Sequence, residues 1–580
     1  MRFGLNRKPG AELSCRPRSP KKSSKDIYTK MDSYYRQKAK SYPCARIIEF
    51  HPKPVRGVQG ELDVATRDQG SLELVKEEQI QEEPDLLKTL KNSSADVKLH
   101  CTEACVADLL KYYGYRKWCG NYVIETRQNV YKVLEHPVQA YDDIVERLEK
   151  EPGVIEKNRR QLEGKTLLKS LITNNGIQKR LMLEDRFLKD DRETCYLPFK
   201  NDVVKITKDG VTHLSYSQIP GWVWEHNIID HNIKPDSQLG GDWWEFLIRT
   251  CSKRGEDGPV VGSFEEERFE ALLCAIGYNI HRYKSPSRPA LTIFSDEYNG
   301  TKNDGGTGKS IICKSIGHMN RKFNREDGKS ITRDNRFNFA ELDGTTDIAY
   351  IDDLDCRTFR LQELYAKVTD DITVEPKGKP KKTIPYELAP KWLINTNDIS
   401  QIGTNGSDQR RRMDIQLKHY YGNGHQPKDD FGKEFWREDW TDEDWNQFYH
   451  VQIQAVKKSL EHNVAENGLP AYDNTIIEDS MRQEISEELI AIFEERLKDR
   501  IEAGGEIRIS NEELNEWVDG MNLKDIKSKL VKYHQLELED KYDLQCDACF
   551  KLPGDNKTYR GIKLIPKQQI LSIPVSPRRS

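Results

Sequence analysis

Residues 291–310 read LTIFSDEYNGTKNDGGTGKS, and the way this stretch divides decides the fold. Leu291–Phe294 is a short apolar run, the pattern of a buried strand. Gly305, Gly306, Thr307 and Gly308 form a glycine-rich turn, Lys309-Ser310 follows, and Ile311-Ile312 opens a helical pattern. Strand, glycine loop and helix together make a phosphate cradle. Glycines let backbone N–H groups close on phosphate oxygens without a Cβ in the way. Lys309 can reach the β- and γ-phosphates as a point charge, and Ser310 can place its hydroxyl on Mg²⁺. The helix N-terminus adds partial positive charge. The usual spacing has glycine where this chain has Asn303, and asparagine tolerates the same left-handed backbone. The competing reading is a glycine-rich surface turn that happens to precede Lys-Ser. The ligands expected here are ATP and Mg²⁺.

The 580 residues suggest several structural units. A net charge of −4 argues against a chain that is basic throughout. The charge is nevertheless segregated: residues 1–58 carry 15 Lys/Arg against 4 Asp/Glu, and the next 40 reverse the sign. No apolar run approaches the ~18 residues a membrane helix needs. The start lacks the apolar core of a signal peptide. Twelve scattered cysteines fit a reducing compartment better than a disulfide framework.

Three later stretches extend the nucleotide reading. Ile348-Ala349-Tyr350-Ile351-Asp352-Asp353 is an apolar strand ending in two carboxylates. Hydrolysis of a nucleotide needs one carboxylate for the metal shell and one to polarise the attacking water. Asp352 is assigned to the metal and Asp353 to the water. Lys391–Asn397 is a second apolar strand with a polar end, where Asn397, with Asn395 second, can sense the γ-phosphate. Arg410-Arg411-Arg412 offers a cation to a neighbouring subunit's phosphate, with Arg411 favoured by its spacing to Ile415–Leu417. Between them, Ile372–Ile384 reads as a hairpin with a basic tip. Lys377, Lys379, Lys381 and Lys382 there suit a phosphodiester backbone, or simply solvent.

The remaining chain divides as follows. Residues 1–95 form a disordered charged tail. Residues 96–195 form a helical N-terminal domain, with Val106, Leu109, Leu110 and Tyr113 on one stripe. A helical and β collar covers 196–284, including a hairpin near Val203 and an amphipathic helix over 264–283. The nucleotide domain is 285–425, and a helical connector with Trp436, Trp440 and Trp445 covers 426–484. Residues 485–568 run helix, strand, helix, helix, hairpin, the order of a winged helix. Lys524, Lys527, Lys529 and Lys532 on its penultimate helix offer a basic face for DNA or for solvent. Residues 569–580 form a second disordered tail. Cys101, Cys105 and the pair Cys546/Cys549 are weighed as zinc ligands against plain thiols.

GGTGKS, IAYIDD, a lysine-tipped hairpin, LINTN and an Arg cluster, in that order within about 120 residues, resemble the superfamily 3 helicases. Within them the chain looks most like the phage, plasmid and viral primase-helicase branch. The resemblance implies an α/β fold: an AAA+ type P-loop ATPase core with a helical/β collar and a C-terminal winged-helix domain. It further implies an ATP-driven DNA helicase that forms a homo-hexamer on single-stranded or fork DNA during replication. A separate primase or polymerase is then a possible partner. The implied location is a bacterial host's cytoplasm or a viral replication compartment. Lys309, Ser310, Asp352, Asp353, Asn397, Arg411, Lys377 and Lys379 take the corresponding roles. Thr307, where many of the branch have Asn, departs from the pattern. Two other classes compete: an ATP-switched DNA-binding replication initiator, and an AAA+ remodeller or packaging motor.

Overall fold

The computed structural model describes residues 82–567 apart from 95–101, 119–120, 135, 164–166, 174, 185, 257, 301–304, 320–321, 379, 400–401, 403–405 and 423. Both terminal tails (up to residue 81 and from 568), Cys101, Asn303 and Lys379 lie outside the described residues.

The centre is a five-stranded parallel sheet. Its strands in chain order are β1 (Leu291–Asp296), β2 (Phe323–Asp327), β3 (Ile348–Asp352), β4 (Lys391–Asn395) and β5 (Arg412–Leu417). They lie in the order β2-β3-β4-β1-β5, with every neighbouring pair parallel. Strands β1, β3 and β4 are buried along their whole length. That is why they read as continuous apolar runs rather than alternating ones.

The two faces of β1 enter different cores. Leu291 and Ile293 pack with Trp392, Ile394, Ile351 and Leu364. Phe294 packs with the residues of three helices, α1 (Glu266–Ile280), α2 (Lys309–Gly317) and α3 (Asp442–Glu461). Helix α1, placed by sequence in the collar, therefore covers the sheet. So does α3, placed in a connector. The two helices meet at Gly277, where an added Cβ would sit 1.9 Å from the Ala455 carbonyl oxygen. Only a glycine permits that approach. The tryptophan-rich stretch packs against the same core, with buried Trp440 and half-buried Trp436 and Trp445 ringed around Phe448.

Two expectations for the N-terminal region need correction. Order begins before residue 96: Asp85–Lys91 is a helix whose Leu86, Leu87 and Leu90 are buried in the N-terminal core. The region is also not all helical. Tyr115–Trp118, Asn121–Arg127 and Val130–Val133 form an antiparallel sheet inside it. Tyr122, Val123 and Ile124 supply β-prone side chains, and Asn129 turns the chain at φ 61°. Thr194–Pro198, Val203–Thr207 and Gly210–Leu214 form a three-stranded antiparallel meander, where the sequence suggested a hairpin near Val203. At the C-terminal end, helices Glu487–Glu502, Asn511–Trp517 and Leu523–Tyr533 pack with strand Ile507–Ser510 and the hairpin Tyr542–Lys551/Thr558–Pro566. Among the described residues no helix is long and apolar enough to cross a membrane.

Two histidines, His281 buried and His318 half-buried, tie the layers together without charge. His281, 2% exposed, meets the Asp191 carbonyl at 2.8 Å, and His318 stacks on Trp436. Burial pulls both down to about 4, from an ordinary value near 6.5. The unfolded chain therefore takes up protons that the folded chain refuses as pH falls from about 6.5 toward 4. Their contribution is complete above that window and is lost within it. The thermal midpoint should fall between pH 7 and pH 5, by on the order of 1–2 kcal/mol of stability per histidine. His318→Phe keeps the stacking and should flatten that dependence. An unchanged pH slope in the variant would refute the assignment.

Candidate functional site

Because the five strands are parallel, all their carboxyl ends fall on one edge of the sheet. In open α/β sheets that edge is where ligands bind. Here it carries the Gly305–Ser310 turn after β1, Asp352-Asp353 at the end of β3 and Asn395–Asn397 at the end of β4.

The turn closes through backbone conformations that favour glycine: φ is 78° at Gly305, 86° at Gly306 and 109° at Gly308. Gly308 caps helix α2, and a Cβ there would lie 2.7 Å from Phe246 Cζ. Lys309 begins the helix and is buried, with its ammonium held by the carboxylate of Asp296, the last residue of β1. Thr307 Oγ1 donates to the same carboxylate at 2.5 Å.

Asp352 is the hub of the neighbouring cluster. Its Oδ1 accepts from Ser310 Oγ at 3.1 Å, Tyr350 Oη at 2.6 Å and Asn395 Nδ2 at 3.0 Å. Its Oδ2 accepts from Arg325 Nε at 2.9 Å and Nη2 at 2.6 Å. Burial opposes the charge, yet the bonds from Tyr350, Asn395 and Arg325 outweigh it and hold the carboxyl below its usual range. Burial drives the Tyr350 phenol far up, so it stays a donor. Asn395 bridges the cluster: its amide nitrogen reaches Ser310 Oγ at 2.8 Å, and its oxygen accepts from the Asp353 backbone N–H.

Asp353 adopts φ 58°. Its carboxylate meets Lys329 Nζ at 2.5 Å and Asn397 Nδ2 at 3.4 Å. Asn397 also faces the loop, since a Cβ on Gly305 would lie 3.4 Å from its amide nitrogen. The chain thus brings Lys309, Ser310, Asp352, Asp353 and Asn397 to one edge.

Arg411 is elsewhere. It precedes β5, whose Arg412 pairs with Leu291 at the start of β1. That is the opposite edge, a strand length or roughly 17 Å away. Arg411 reaches Ser407 Oγ at 2.5 Å, while Arg412 is buried on Asp414 at 3.2 Å. The basic hairpin forms from Ile372–Val374 and Lys382–Ile384. Lys377, Lys381 and Lys382 are exposed on it, and Lys381 pairs with Glu375 at 3.2 Å.

The C-terminal lysines are less available than their spacing suggests. Lys527 pairs with Asp547 at 2.7 Å, Lys529 donates to the Glu484 carbonyl, and Lys532 pairs with the Glu484 carboxylate. Cys546 and Cys549 are exposed and Cys105 half-buried. Among the described residues no group of three or more His, Cys, Asp or Glu is placed to hold a metal ion.

Sequence reasoning missed Asp296, Arg325, Lys329 and Tyr350. Asp296 carried one signal: a carboxylate ending an apolar strand just before the glycine turn. Arg325 and Lys329 carried none, because their partners lie 27 and 24 residues away on another strand end.

Residues 302–412 match the model of a family of unknown function, DUF5906. No curated protein matches the chain. Among solved structures, an apo form of the NrS-1 C-terminal region aligns with 65% of this chain and 97% of its own, at 11% identity and a TM-score of 0.30. A second, of NrS-1 residues 305–718, aligns with 64% and 96%, at 13% identity and 0.31.

Gly308→Ala should be costly, because it adds a Cβ at positive φ against Phe246. The expected loss is about 1–3 kcal/mol, read as a lower thermal midpoint. A variant as stable as wild type would show that the turn is not held in this form.

Proposed function

We propose that the chain is an ATP-driven DNA helicase of a mobile element, phage or virus, of the superfamily 3 type, acting as a ring oligomer. One observation carries the reading: a glycine turn with Lys309, a Ser310–Asp352 pair, Asp353 and Asn397 share one edge of a parallel sheet, with Arg411 at the other. In this reading the sheet is a P-loop AAA+ core, the meander and its helices are the collar, and residues 485–567 are a winged helix.

The donor set fits Mg²⁺ and a nucleotide. Ser310 Oγ and Asp352 Oδ1 are hard oxygens 3.1 Å apart, the kind of ligand Mg²⁺ takes beside phosphates. Bound there, Mg²⁺ would neutralise charge on the phosphates. The chain's own residues do the rest. The N–H groups of the glycine turn cradle phosphate oxygens, and Lys309 supplies the point charge. Asp353, 40% exposed on its side chain, faces the opening and can accept a proton from an attacking water. Asn397, between Asp353 and Gly305, is placed to register the γ-phosphate.

Arg411 cannot reach this edge in its own subunit. In a ring it would serve the next subunit's phosphate, which stabilises charge at the transition state. The exposed lysines of the 372–384 hairpin supply backbone contact with single-stranded DNA. The occupied lysines of helix Leu523–Tyr533 favour this helicase over an initiator that reads duplex DNA through that helix.

The test is ATP hydrolysis with and without single-stranded DNA. Stimulation of several-fold, absent in Lys309→Ala, is expected. Hydrolysis indifferent to DNA would overturn the helicase reading. Arg411→Ala should bind nucleotide normally yet lose about 10³-fold or more in hydrolysis. Mixing it with Lys309→Ala should restore part of the rate, because hybrid interfaces pair an intact loop with an intact arginine. No recovery on mixing would refute the trans assignment. Lys377→Ala should reduce the stimulation by DNA, and full stimulation would remove the hairpin from the DNA path.

A further inference from the structure

The strand that feeds the glycine turn ends in a charge. Asp296 is 1% exposed, and both its oxygens are engaged: Oδ1 with Thr307 Oγ1 at 2.5 Å, Oδ2 with the Lys309 ammonium. Lys309 Nζ also lies 3.3 Å from Thr307 Oγ1. Lys309 and Thr307 are themselves buried, at 6% and 1% exposure. These three side chains form a closed triangle beneath the turn. An ammonium has three donors, and two of them point into this triangle.

A buried ion pair is expensive to assemble, and a hydrophobic pair of similar size usually stabilises a fold at least as well. A strand end also does not need a carboxylate. The pair makes sense as a device acting on Lys309. In the unliganded chain the ammonium already has an anionic partner, so a phosphate must share it or take it. Two anions on one ammonium repel each other in a site shielded from water. Asp296 therefore sets both where the ammonium sits and how tightly an incoming phosphate is held.

We propose that Asp296 is an internal stand-in for nucleotide phosphate, a positioning residue that holds Lys309 in the empty site and is displaced by the polyphosphate on binding. The inference rests on the nucleotide-binding reading of the turn. It assigns Asp296 a negative contribution to affinity, the opposite of what a purely structural residue would give.

The experiment titrates a fluorescent ADP analogue with Mg²⁺ into the full-length chain and three variants. Wild type and Lys309→Ala come first. Binding that is absent, or present but indifferent to Lys309→Ala, would sink the nucleotide reading and this inference with it. With that reading intact, Asp296→Asn leaves Lys309 without its counter-ion. It should bind ADP about tenfold more tightly, a modest share of what an uncompensated buried charge is worth. Its unliganded thermal midpoint should be lower than wild type and its ADP-induced rise larger. Asp296→Glu keeps the charge and pushes it toward the phosphate, so it should bind several-fold more weakly. Asp296→Asn affinity equal to or below wild type would overturn the proposal. Should Asp296→Asn fail to fold, Asp296→Glu decides alone: affinity at or above wild type overturns the proposal.

Discussion

Strand β1 is hydrogen-bonded on both sides to parallel partners, and that constraint sets the level of every group at the site. Phe294 lies opposite Asn395 on β4, and Asp296 opposite Leu417 on β5. Ile351 on β3 lies opposite Ile394. These registers set Asp352 and Asn395 level with Phe294, two residues before Asp296, so all three fall at the carboxyl end of the sheet. A slip of one residue would exchange the faces of β1, sending Leu291 and Ile293 into the core built for Phe294. Full burial of β1 on both faces makes such a slip costly, so the register holds.

The helices act through the same strand. Helix Gly241–Thr250 backs the turn, since Phe246 and Thr250 are the atoms a Cβ on Gly308 would meet. Helices α1 and α3 close on each other at Gly277 and bury the face that holds Phe294 and Tyr350. Tyr350 in turn donates to Asp352. Packing on one face of the sheet thus fixes a hydrogen bond at its edge. A second buried network reinforces the junction: Arg268 on α1 donates to the Gln416 carbonyl at 2.6 Å and to Glu297 at 2.7 Å, directly after Asp296.

The parts of the site that were legible in sequence are the ones written locally. A glycine turn between an apolar strand and a helix needs only neighbouring residues, and so do carboxylates or amides at strand ends. Asn395 shows the limit. Its place in LINTN marked it as a strand end, but only the registry of β4 against β3 reveals that it, more than Asn397, holds Asp352 and Ser310. The basic helix Leu523–Tyr533 shows the same limit in reverse. Its lysine spacing suggests an open cationic face, while Glu484 and Asp547, remote in sequence, occupy three of the four. The N-terminal sheet went unseen because the helical stripe of Val106, Leu109 and Leu110 dominates its flank. Tyr122, Val123 and Ile124 are contiguous rather than alternating.

Charge balance at the edge bears on why a second chain belongs in the proposed reaction. Three cations there are already matched: Lys309 by Asp296, Arg325 by Asp352 and Lys329 by Asp353. A polyphosphate brings several negative charges to this balanced set. Rearranging the pairs can free cations, but each freed cation leaves a carboxylate behind, so the sum does not improve. Net positive charge has to come from outside the set. Mg²⁺ is one source, and a cation with no carboxylate attached to the same edge is another. Arg411 meets that description from the far side of the sheet, held by a hydroxyl of Ser407 and lying near the Tyr365 ring rather than on an acid. In the proposed ring it would arrive at the neighbouring site without a counter-ion of its own. Assembly, rather than rearrangement within one subunit, would then supply the charge on which hydrolysis depends.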